Sequence, residues 1–168
     1  MKKSAVILLA TILTFGAAPA FAQSVQLLGD FTAWSAYTTS SSVDKHCFIM
    51  GKPAEVNPPV EGLTQPYFYV SHRPGENVRY EVNLVAGFNF APETQATAQI
   101  GNQVFQMFTE RDSAWLNEVG QSADMASAMR AGSVMTVEAT TERGIRVVET
   151  FSLSGATASM RAIDAECG

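Results

Sequence analysis

The sequence is poor in the residues from which most reactive sites are built. Of its 168 residues, two are cysteine and two are histidine, His46 and His72. Two histidines with no ligand spacing around them do not make a metal centre, and both read as ordinary surface or strand residues. No phosphate-binding loop, dinucleotide fingerprint or G-x-S-x-G elbow occurs, so the common nucleotide-binding and serine-hydrolase signatures are missing. Charged residues make up only 16% of the chain, and its lysines and arginines are scattered. Nucleic acids and anionic membranes need basic residues gathered on one face, so neither is an expected partner. After residue 22 no apolar run approaches the roughly 18 residues that would cross a bilayer as a helix. The sequence therefore assigns no catalytic residue, no cofactor site and no metal site.

What is present begins with a leader. Lys2 and Lys3 precede the largely apolar run Ala5–Ala18, and Ala20-Phe21-Ala22 is a small-x-small cleavage site. This pattern predicts that residues 1–22 are removed as a secretory signal and that residues 23–168 form one domain. Without Lys2 and Lys3 the chain holds 9 basic and 16 acidic residues, a net charge of −7, which suits a surface charged for solubility. Two cysteines in an exported chain predict one disulfide in an oxidising space. An intramolecular bond would join Cys47 to Cys167; free thiols or a bond between chains are the alternatives.

Hydropathy along the chain has the period of strands. Val78, Tyr80, Val82, Leu84 and Ala86 share one face while Arg79, Glu81 and Asn83 take the other, as in an antiparallel strand with one solvated side. Further strands are expected at Ser24–Leu28, Phe31–Ser40, Lys45–Met50, Tyr67–His72 and Ser113–Asn117. Hairpins are expected around Gly101-Asn102 and around Thr141–Gly144. Gly51–Pro66, with four prolines, reads as a surface loop. Ser122–Gly132 reads as a helix capped by Ser122 and ended by Gly132. After Ser154, a second expected cap, the residues Ala156, Met160, Ile163 and Cys167 fall on one helical stripe, which aims Cys167 at the core. The fold class is mainly β: about eight strands in an antiparallel β sandwich or strongly curved sheet, with one internal helix and one C-terminal helix.

Several of these stretches carry a family likeness. Met129–Gly132 (MRAG) is followed by SVMTV, by the turn Thr141–Gly144 (TERG), by Glu149–Met160 (ETFSLSGATASM) and by Cys167. Upstream lie Asp30–Trp34 (DFTAW), His46-Cys47, Tyr67–Pro74 (YFYVSHRP) and Ala114-Trp115. Together they resemble the invasion-associated locus B family, exported proteins of alphaproteobacteria, over nearly the whole chain after the leader. The resemblance implies a periplasmic or secreted β-rich domain, with outer-membrane association compatible with either location. It also implies a link to host-cell entry through the protein that gives the family its name. It carries no catalytic residue across.

Contact with a partner is therefore sought in loops. Phe88 and Phe90, in the loop Gly87–Pro92, are the candidate contact, and the proline loop Gly51–Pro66 is a second. Trp34 and Trp115 read as core residues. His46-Cys47 as a nucleophile and base is the weaker reading beside a disulfide. Glu110 with Asp112, and Glu138 with Glu149, are the nearest approach to carboxylate pairs, and solvated faces account for them. The expected function is that of a non-enzymatic envelope protein binding an unidentified protein or surface component. A hydrolase assembled from scattered residues and a structural or stress protein of the envelope are the alternatives.

Overall fold

The computed structural model describes residues 24–39 and 45–168. The leader at 1–22 and the break at Ser40–Ser42 lie outside them. The strands are β1 (Val25–Phe31), β2 (Trp34–Thr39), β3 (Cys47–Gly51), β4 (Glu55–Asn57), β5 (Tyr67–Arg73), β6 (Val78–Val85), β7 (Gln95–Ile100), β8 (Gln103–Glu110), β9 (Ser113–Leu116), β10 (Val134–Thr140) and β11 (Arg146–Ser152). The helices are α1 (Ser122–Ala131) and α2 (Ala156–Cys167). All eleven strands join in one sheet, in the order β1-β2-β3-β5-β6-β9-β8-β7-β10-β11-β4, and every pairing is antiparallel. The sheet does not close into a barrel. It curves until its two wings face each other: the Phe68 ring of β5 meets the Phe151 ring of β11 at 5.6 Å, and the Trp34 indole N–H donates to the Ser152 carbonyl at 2.8 Å.

Period two decides what the wings enclose. Inward residues such as Ile49, Phe68, Leu84, Met107, Met135 and Phe151 are fully buried. Helix α1 packs on β6, and α2 packs across β1, β2, β3 and β5. The stripe expected on α2 is the buried one: Ala156, Met160, Ile163 and Cys167 face inward. Burying Met160 and Ile163 contributes about 2 kcal/mol each. Gly155 opens the helix at φ +93°, and a Cβ there would lie 1.7 Å from the Phe31 carbonyl oxygen, so only glycine fits.

Four expectations are corrected. Phe31–Ser40 is not one strand: a turn at Thr32-Ala33 splits it, with Thr32 at φ 60°, and Val25–Phe31 pairs back on Trp34–Thr39. The proline loop contains the short strand β4, which joins the edge of β11, so the strands among the described residues number eleven, not about eight. Ser122 lies inside α1, which is preceded by Gln121 at its cap position with no side-chain bond. Ser154 does not cap α2, whose cap residue is Gly155.

Candidate functional site

Three loops, with Asp112 of the β8–β9 turn, meet at one end of the sheet around an open groove of about 510 Å3. The proline loop supplies Pro59–Gly62 and Thr64, the β6–β7 loop supplies Gly87–Asn89, and the β10–β11 turn supplies Thr141–Arg143 and Ile145. Strand order brings them together, because β5 and β6 neighbour each other and β7 lies against β10. The Thr64 amide donates to the Gly87 carbonyl at 3.0 Å, and the Glu142 amide donates to the Asn89 carbonyl at 2.8 Å. Gly87 has φ +74°, and a Cβ there would lie 2.2 Å from the Thr64 carbonyl oxygen, so this contact requires glycine. Thr141 is buried, and its hydroxyl accepts the Ile145 amide at 3.1 Å. Arg143 approaches Glu61 at 3.7 Å across the opening. Both side chains are well exposed, so this pair adds little stability. The rim is thus ordered by backbone bonds, and its exposed side chains are left for contact.

The two aromatic candidates part company here. Phe88 and Phe90 pack edge to face at 5.4 Å. Phe90 is buried in the core, while Phe88 is partly buried and lines the groove.

A second groove, of about 730 Å3, opens where β6 and β9 part after pairing only from Asn83 to Val85. Trp115 and Phe108 stack at 5.5 Å along its wall. Trp34 is core as expected, but Trp115 is only half-buried on the outer face.

A polar cluster ties the two helices to the sheet. The Tyr80 amide donates to His72 Nδ1 at 3.2 Å, which places the ring proton on Nε2, from which it is donated to Asp164 Oδ1 at 3.0 Å. The Tyr80 hydroxyl donates to the same oxygen at 2.8 Å. Arg130 donates to Asp164 Oδ2 at 3.0 Å and lies over the Tyr80 ring at 4.9 Å. Burial holds the His72 pKa below the ordinary histidine value, against the opposing effect of Asp164. Its side chain has no exposure, so it cannot reach a substrate, and the cluster acts as a clamp. Tyr80 sits at φ 54° within a strand, a costly conformation for a non-glycine residue that the clamp maintains. The cluster draws one residue each from β5, β6, α1 and α2, a separation that no local pattern reveals.

The other residues named from the sequence fall into place simply. Cys47 and Cys167 form a disulfide with Cα atoms 6.0 Å apart, and no free cysteine occurs among the described residues. His46-Cys47 therefore has no thiolate. Burial, and next the charge of Arg73, hold the His46 pKa down. Among the described residues no cluster of three or more histidine, cysteine or acidic side chains is placed to hold a metal ion. Glu138 and Glu149 are not a pair. Glu138 points outward to Arg146, whereas Glu149 is buried with neither carboxylate oxygen hydrogen-bonded. Desolvation pushes its pKa up to about 8. A solvated face does not describe Glu149. The signal was present: Val147, Glu149 and Phe151 share one period-two phase.

Comparison with known proteins agrees with this architecture. The profile of the Invasion associated locus B (IalB) protein family matches residues 34–164. The crystal structure of invasion associated protein B from Bartonella henselae superposes with a TM-score of 0.57 at 14% identity, covering 82% of this chain and 96% of that one. At that identity the likeness is one of fold. No curated protein matches the sequence. No helix among the described residues is long and apolar enough to cross a membrane. On the extent of the profile match, which takes in both hairpins, α1 and most of α2, the chain belongs to the invasion associated locus B family.

Proposed function

We propose that this is an exported envelope protein, one domain over residues 23–168, that binds a macromolecular partner in the loop groove without catalysing a reaction on it. The observation that carries the reading is the convergence of the proline loop, the Phe88 loop and the TERG turn on one opening of about 510 Å3. Each loop is fixed by backbone hydrogen bonds, while Phe88, Arg143 and Glu61 are presented at its mouth. Surface loops on a rigid sheet are where binding residues concentrate. A periplasmic or secreted location is supported by the leader and by the disulfide, which suits an oxidising space. The partner is a protein or another envelope component.

The test is site-specific photo-crosslinking in the native cell, with the photoreactive residue at Phe88 or Arg143 and, as a control, at the remote Gln26. A discrete adduct at both groove positions, absent at Gln26, is expected. Equal labelling at all three positions, or none at the groove, would overturn the reading.

A further inference from the structure

Glu149 is a carboxyl group placed where the fold offers it no partner. It projects inward between Val147 and Phe151 on its own strand, both fully buried. Its cross-strand partners are Val137 on β10 and Val56 on β4. Glu138 and Arg146 point to the opposite face and pair with each other, and Glu55 is exposed beside Val56. Across the core, the titratable groups on the inner faces of β5 and β6 are His72 and Tyr80, both engaged by Asp164. An ionised carboxylate in this position has neither a hydrogen bond nor a counter-charge, and burying it in that form is strongly unfavourable.

One side of the site is weakly closed. β10 pairs with β11 along its whole length, but β4 pairs with it over three residues only, Val148 with Asn57, Glu149 with Val56 and Thr150 with Glu55. One further bond, from the Ala54 amide to the Thr150 carbonyl at 2.7 Å, extends that contact. β4 is thus the edge whose departure would expose Glu149 to water at the smallest loss of pairing. It also carries the proline loop, whose Pro59–Thr64 end is one wall of the loop groove.

We propose that Glu149 is a proton-operated latch for the edge strand β4: the protonated carboxyl keeps β4 paired to β11, and loss of the proton releases β4 with the proline loop. The sign follows from linkage. Opening lets the carboxyl ionise near its ordinary value, whereas the closed form resists ionisation until about pH 8. The opening equilibrium therefore rises from about pH 4.5 to pH 8 and levels off above. Between pH 6 and pH 9 the rise is roughly a hundredfold. That release dismantles one wall of the binding groove is the part that rests on the function proposed above.

Hydrogen–deuterium exchange on the free, disulfide-bonded protein tests the latch without any partner. Rates at pH 6 and pH 9 are compared after correction for intrinsic exchange chemistry. In wild type, peptides covering residues 52–57 should lose protection by roughly a hundredfold at pH 9, while β3, β5 and α2 keep theirs. Glu149→Gln, which cannot ionise, should hold protection at both values. Unchanged protection of residues 52–57 in wild type, uniform loss across the sheet, or the same loss in Glu149→Gln would each overturn the latch. Should the variant fail to fold, the wild-type comparison decides alone. A failed latch leaves the groove reading untouched, and failed crosslinking at Phe88 and Arg143 leaves the latch standing.

Discussion

Replacing both half-cystines, Cys47→Ala with Cys167→Ala, should cost this protein a large share of its stability. The bond joins residues 120 apart and closes a loop of 121 residues. Chain-entropy theory gives a loop of that size about 4.9 kcal/mol at 25 °C, and measured bridges more often give about 2–4 kcal/mol. The folded state works in the same direction. Cys167 ends the inward stripe of α2 and Cys47 sits in β3 with no exposure, so both sulfurs leave packing gaps when removed. What remains to hold α2 is Met160, Ile163, the Asp164 clamp and the half-exposed Lys45–Glu166 pair. A loss of about 3–5 kcal/mol is expected, against a total of about 5–15 kcal/mol for an ordinary domain. For a chain of this size that corresponds to a fall of roughly 10 °C in Tm. Urea unfolding followed by tryptophan fluorescence measures it, since Trp34 is buried and hydrogen-bonded to Ser152 across the wings. A loss below about 1 kcal/mol would refute the reasoning, because it would mean that the closed loop places no constraint on the unfolded chain.

Further outcomes can be checked on the same protein. Asp164→Asn removes the acceptor shared by His72, Tyr80 and Arg130; with Asp164 partly exposed, a loss of about 2 kcal/mol in urea unfolding is expected. His72 and His46 have folded pKa values held below the ordinary value, so the unfolded chain takes up protons first; in the Glu149→Gln background, where the opposing carboxyl is removed, urea unfolding should show stability declining as pH falls below about 6.5. Glu149→Gln should raise stability by about 3 kcal/mol at pH 7 yet leave it nearly unchanged at pH 4, because the wild-type carboxyl stays protonated in the fold up to about pH 8; equal melting temperatures at pH 7 would count against its burial. Gly155→Ala, with its Cβ directed at the Phe31 carbonyl, should destabilise by at least about 2 kcal/mol or block folding of α2.

Period and punctuation made most of the elements legible. Val78–Ala86 alternates, Gly101-Asn102 and Gly144 mark hairpins, and the spacing of Met160, Ile163 and Cys167 marks the helix and its inward cysteine. The failures have physical causes. Thr32 carries a turn at positive φ without glycine, proline or asparagine to announce it. β4 has only three residues, too few for a period to show, among prolines that argue for a loop. The charge of Glu149 points to a solvated face, although the phase set by Val147 and Phe151 turns it inward. The loops at Gly51–Pro66 and Gly87–Pro92 were each recognisable as surface excursions. Their meeting with the TERG turn depends on strand order across the whole sheet, as does the Asp164 clamp, and local sequence carries neither.

The strand order has a kinetic consequence. One ribbon, β1-β2-β3-β5-β6, comes from residues 25–85, and the other, β9-β8-β7-β10-β11, comes from residues 95–152. Most pairings within each ribbon are between neighbours in sequence, so each can assemble at modest loop-closure cost. Among the closures left are two long ones, β4 onto β11 and Cys167 onto Cys47. Each carries a piece of one half of the chain onto the other, so both must wait until the two ribbons exist. The slow steps of folding should therefore be found at these two seams, which are also where the finished molecule is sealed.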